Sequence, residues 1–199
     1  MGAQRNGTAV ALFDPMTASR AQWDRFHAYR RARHEEAWPD DPLYSDQETE
    51  EDERDPDPHG DSVQWVAVNQ NDIVGSAYSY LRHPDSPGFA EGARFLHAYG
   101  AVLKPWRGRG IGTRLLAQIH KLMLAHGKTL LTLSTEEPDG HGFLRHIGAS
   151  EKTRLKIACS SKKSTGRPAS AGKPPRWHPL PVRASNITAR ASAATSTRC

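Results

Sequence analysis

Apolar positions recur along this chain in two rhythms. Ile111, Leu115, Ile119, Leu122 and Met123 fall on one side of a three-to-four-residue spacing, with Arg114, Gln118 and Lys121 on the other, which predicts an amphipathic helix. Gly127 stands where that helix should stop. Shorter apolar and β-prone runs flank it: residues 95–103 read as a strand ending before Pro105, and residues 129–133 as a short buried strand. Upstream, residues 8–13 predict a first strand, 18–33 a first helix, and 63–68 with 73–81 a hairpin turned at 69–72. Downstream, residues 138–147 predict a short helix closed by Gly148, and residues 154–158 a last strand.

Between the strand at 95–103 and the long helix lies a glycine-rich turn, Val-Leu-Lys-Pro-Trp-Arg-Gly-Arg-Gly-Ile-Gly-Thr over residues 102–113. Gly108, Gly110 and Gly112 leave the main chain unobstructed, so successive N–H groups can face an anion at the positive end of the helix dipole. Two familiar phosphate loops do not fit. A Walker loop needs Lys before Ser or Thr after its last glycine, but Thr113 and Arg114 follow Gly112. The dinucleotide fingerprint needs Gly or Ala at Thr113 and an acid near the end of the next strand, and residues 128–135 contain none.

A third pattern, Arg or Gln, two residues, then Gly-x-Gly or Gly-x-Ala, is met by Arg107, Gly110 and Gly112. Here the chain resembles the GNAT superfamily of acetyl-CoA-dependent N-acyltransferases, and the element order carries the resemblance over residues 8–158. It implies a mixed α/β (α+β) domain, a central mixed β-sheet flanked by helices. It also implies that two strands splay apart beside the long helix and that the pantetheine arm of acetyl-CoA lies in the gap. By the same resemblance the main chain around Ala101, Val102 and Leu103 binds pantetheine and steadies the developing oxyanion. Arg107, Gly108, Arg109, Gly110, Ile111, Gly112 and Thr113 hold the pyrophosphate.

In many GNAT enzymes a glutamate on the strand before the loop acts as base, and a tyrosine in the late helix as acid. Those positions are Leu96 and Leu144 here, and the family's Gly-Phe after the late helix is Gly148-Ala149. His97 and Tyr99, alternating onto one face of the strand, are the substitutes as base and thiolate acid, with His141 and His146 nearby. The expected activity is acetyl transfer to an amine by direct attack on the thioester. The alternative, favoured by Leu96 and Leu144, is a catalytically silent acyl-CoA-binding or regulatory module. No histidine pair has metal spacing with a cysteine or carboxylate, so no metal is expected.

Charge changes the picture only when divided by segment. The net charge is +5, but residues 160–199 hold eight basic residues and no acid, which leaves the first 159 residues at −3. No basic, aromatic-studded face points to nucleic acid. Two regions follow: an acyltransferase domain over 1–159 and a basic low-complexity tail over 160–199, too poor in apolar residues to fold and expected to be disordered. The tail's other reading is a basic arm for anionic partners anchored by Trp177. It begins where a second domain of a tandem GNAT protein would, so the chain also reads as the N-terminal part of one.

Residues 35–61 carry 13 acidic residues against Arg54 alone and several prolines, and are expected to be mostly loop. Their carboxylates either attract a cationic acceptor or balance the basic end of the first helix, Arg30, Arg31 and Arg33. No apolar run reaches the roughly 18 residues of a membrane span, and Cys159 and Cys199 make no disulfide framework, so a soluble cytoplasmic protein is expected. Its expected partner is a small-molecule or peptide amine, with neither nucleic acid nor membrane, and a homo-oligomer is compatible with this reading.

Overall fold

The computed structural model describes residues 7–135, 137–152 and 185–190. The strands are β1 Ala9–Phe13, β2 Gly60–Asn69, β3 Asp72–Arg82, β4 Phe95–Val102, β5 Leu130–Thr135, β6 Ser150–Lys152 and β7 Ser185–Arg190. The helices are α1 Arg20–Ala37, α2 Asp46–Arg54, α3 Phe89–Gly92, α4 Ile111–Ala125 and α5 Pro138–His146. They form one mixed sheet in the order β1-β2-β3-β4-β5-β7-β6, in which the β4–β5 pair is parallel and every other neighbour antiparallel.

Each face of the sheet buries a helix. The apolar stripe of α4 is the expected one: Ile111, Leu115, Ile119 and Met123 are buried against Ala67, Ala77, Leu96, Ala98, Leu131 and Leu133. Across the sheet, Trp23, Phe26 and Tyr29 of α1 pack with Phe13, Val66 and Ile73. The glycine stops also work as the spacing requires. Gly127 and Gly148 take φ of 62° and 75°. The N–H groups of Lys128 and Ala149 return to the carbonyls of Met123 and Leu144, each closing a helix by a six-to-one bond.

Two segments differ from expectation. The acidic run is not all loop, since α2 forms within it. Ser45 and Glu48 make a reciprocal capping box, acids occupy the first turn, and Arg54 ends the helix. The basic face of α1 then holds it: Arg31 donates to both Asp46 oxygens at 2.8 and 2.9 Å, and Arg20 to Glu50 at 2.6 Å. Composition hid this because the neutralising charges lie on another helix. In the segment read as a disordered tail, Ser185–Arg190 is a strand that pairs with β5 on one side and β6 on the other. Its partners are distant in sequence, so no local pattern announces it. The last strand expected at 154–158 and the remainder of 160–199 lie outside the described residues, whereas β6 precedes that position.

Candidate active site

Strands β4 and β5 pair from Phe95 opposite Leu130 only as far as Ala98 opposite Leu133. Beyond that point Tyr99, Gly100, Ala101 and Val102 stay paired with β3 while β5 no longer accompanies them, which opens a gap beside the head of α4. Main-chain direction follows from register. Leu103 N–H donates to the Val74 carbonyl at 3.0 Å, and the antiparallel alternation makes Ala101 the next residue bonded to β3. Gly100 and Val102 therefore turn their polar groups toward the gap. Of the three residues expected to bind pantetheine, Val102 faces the gap, while Ala101 and Leu103 engage β3. Gly100, absent from the expectation, faces the gap as well; only the strand register could have found it.

The turn closes the end of this gap. Gly108 and Gly110 both have φ of 72°, and a Cβ at either would meet nothing within 4 Å, so the space beside them is open. Gly110 is the N-cap of α4 and no side chain caps the helix, which leaves its first-turn N–H groups for an outside acceptor. Gly112 differs: a Cβ there would meet the Phe143 ring of α5 at 3.4 Å, an ordinary packing contact. Arg109 and Thr113 are exposed, Ile111 is buried, and the Arg109 guanidinium lies 4.8 Å over the Trp106 ring. The Arg107 side chain lies at the gap and not over the helix head. Its Nε donates to the Val102 carbonyl at 2.9 Å, and its other nitrogens reach Asp139 at 2.8 Å and Glu137 at 2.7 Å. Only its main chain belongs to the turn.

A parallel strand pair that splays over an uncapped, glycine-led helix is matched by sequence similarity: the profile described as the acetyltransferase (GNAT) family matches residues 23–148. The chain belongs to the GNAT acetyltransferase family. A search of curated proteins finds no significant match. Among solved structures, an acetyltransferase from Streptococcus agalactiae is 15% identical, covers 93% of this chain and 99% of its own, and superposes with a TM-score of 0.60. A tandem GNAT protein of the clavulanic acid biosynthesis pathway is 18% identical with a TM-score of 0.57; the match covers 73% of this chain and 45% of that protein. The protein yncA of Salmonella typhimurium, solved with its cofactor acetyl-CoA, is 12% identical; the match covers 98% of this chain and all of yncA, with a TM-score of 0.55.

Within this GNAT fold the two leucines at the positions where the resemblance implies a base and an acid are core residues. Leu96 is 0% and Leu144 4% exposed, both in the cluster around α4. His97 and Tyr99 lie on the opposite face of β4 and are exposed, Tyr99 to 41%. They stand beside Tyr80 and Tyr78 of β3, their direct register partners. Tyr80 donates to Asp57 at 2.9 Å; burial, then that carboxylate, pushes its phenol up to about 12. His141 and His146 sit on α5, the first partly buried and the second exposed.

The sequence did not single out Tyr29 of α1, which reaches the site from beneath. It is 5% exposed, and its hydroxyl donates to the Ala101 carbonyl at 3.0 Å while accepting from Ser76 Oγ at 3.1 Å. Burial above all pushes its phenol up, so it remains a proton donor. Around the mouth of the gap, Glu137 bridges Arg33 and Arg107, and Glu36 accepts from the Lys104 N–H at 2.8 Å. No group of His, Cys, Asp and Glu among the described residues is arranged to hold a metal, and none of their helices is long and apolar enough to cross a membrane.

Proposed function

We propose that this chain is an N-acetyltransferase that takes the acetyl group of acetyl-CoA and passes it to an amine. The observation that carries the reading is the gap between β4 and β5 ending at an uncapped helix N-terminus, with Gly100 and Val102 turned into it. Main-chain N–H groups of Gly108 to Thr113 would hold the pyrophosphate, and the open space beside Gly108 and Gly110 fits that group. Acetyl-CoA supplies a thioester carbonyl for the acceptor nitrogen to attack. A C–N bond forms, the C–S bond breaks, the amine loses a proton and the departing sulfur gains one. The Val102 N–H, which turns toward the gap, would donate to oxygen there, and His97 and Tyr99 are the titratable side chains on the adjoining exposed face of β4. The acceptor is a small molecule or a peptide amine.

A second reading has its own observation: with Leu96 and Leu144 both in the core, the chain binds acyl-CoA without turning it over. One experiment separates the two. Titration with acetyl-CoA and thiol release over a panel of amines are measured for wild type, Gly110→Asp, His97→Ala and Tyr99→Phe. Acyl transfer predicts binding with thiol release on at least one amine, binding lost in Gly110→Asp, and turnover reduced with binding retained in at least one β4 variant. Binding with no release on any amine selects the silent module. Undiminished binding in Gly110→Asp overturns the phosphate site itself.

A further inference from the structure

The peptide unit joining Ala101 to Val102 is gripped on one side and open on the other. Its carbonyl, carried by Ala101, accepts the Tyr29 hydroxyl at 3.0 Å, and Ser76 Oγ donates to that hydroxyl at 3.1 Å. Ser76 is also the register partner of Ala101, so the alternation brings its N–H to the same carbonyl. The N–H of that peptide belongs to Val102 and points the opposite way, into the stretch that β5 leaves unpaired. Tyr29 is rigidly set, at 5% exposure, in the cluster with Phe13, Phe26, Val66 and Ile73. A phenylalanine would supply the same packing; what the hydroxyl adds is a hydrogen bond to this one carbonyl.

We propose that Tyr29 is a positioning residue for acyl transfer: its hydroxyl fixes and polarises the Ala101–Val102 peptide, so that the Val102 N–H is aimed at the gap as a strengthened donor to the oxygen that becomes anionic there. An amide that accepts hydrogen bonds at its carbonyl shifts electron density toward that oxygen and becomes the better donor at its nitrogen, an effect that grows where water is excluded. A donor aimed in advance requires no reorganisation as charge develops. Ser76 completes the chain by orienting the Tyr29 proton toward Ala101. The inference rests on the acetyl-transfer reading of the gap, and two readouts keep the two apart.

The first readout needs no substrate. In 15N-labelled protein, the Val102 amide proton of Tyr29→Phe should move upfield from its wild-type position, while resonances of residues 108–113 stay in place. Ser76→Ala should give a smaller shift in the same direction, and it stands in if Tyr29→Phe does not fold. The second is kinetic. Tyr29→Phe should lose about tenfold in kcat, less than the hundredfold or more that follows removal of an oxyanion donor outright, with KM for acetyl-CoA held within about twofold. A folded variant whose Val102 resonance and kcat both match wild type overturns the proposal. A kcat loss with the resonance unmoved, or matched rises in KM with kcat constant, also overturns it, because the effect then does not pass through this peptide. Wild-type protein that neither binds coenzyme A nor releases thiol overturns the acetyl-transfer reading instead, and the resonance alone then reports whether Tyr29 polarises the peptide.

Discussion

At the scale of single residues, equal backbone geometry does unequal work. Gly110 and Gly127 both lie in the left-handed region, at 72° and 62°, and neither would meet a neighbour with an added Cβ. Alanine at either position should therefore cost a similar stability, on the order of 1 kcal/mol. Only Gly110→Ala should also weaken coenzyme A binding, by about tenfold or more, since its methyl group would project into the open space proposed for the pyrophosphate. Calorimetric titration beside thermal melts of both variants checks this, and equal affinity in the two would refute it. The leucines tell a related story. Leu96→Glu does not restore a general base, because that side chain points into the core under α4 at 0% exposure. It should unfold the domain or strongly destabilise it, and Leu96→Ala should cost about 2–5 kcal/mol by urea denaturation with no specific effect on pH dependence. The glycine turn was legible from residue identity. Tyr29 was not, because its importance lies in a contact with Ala101, 72 positions away in sequence.

Among the elements, α2 depends on charge more than on burial. It buries only Thr49, so its capping box and its ion pairs to α1 hold it in place. The hydrogen bonds from Ser45 keep the Glu48 carboxyl below its usual value of 4.5. For Glu50, burial pushes upward, but the hydrogen bonds from His27 and Arg20 outweigh it and the net shift is downward. A carboxylate with a depressed folded pKa contributes stability above the unfolded value, and that contribution disappears as pH falls through the folded one. Amide exchange across residues 46–54 should thus accelerate as pH is lowered below about 4.5, after correction for intrinsic rates, while α4, held by Ile111, Leu115, Ile119 and Met123, remains protected. Uniform protection in both helices at pH 3 would contradict this. Helix α4 was readable because one stripe of its own side chains carries its stability. Helix α2 was not, because its stabilising partners, Arg20 and Arg31, belong to a different element.

For the whole molecule, the strand order puts the far C-terminal segment to structural use. Strand β7 sits between β5 and β6, so removing residues 160–199 would strip β5 of its outer neighbour and leave an open edge. Truncation after residue 159 should lower the thermal midpoint and promote association at micromolar concentration, seen by light scattering. A truncated chain as stable and monomeric as the full one would show that β7 does not support the sheet. The sequence by itself determined the helix and strand types around the glycine turn, their order, and the family, because periodicity and glycine conformation are local properties of the chain. Only the tertiary structure decided which main-chain groups face the gap, that Arg107 braces α5 instead of reaching outward, that Tyr29 grips the Ala101 carbonyl, and that β7 joins the sheet. Each of these depends on strand register or on a partner remote in sequence, and no pattern of neighbouring residues encodes either.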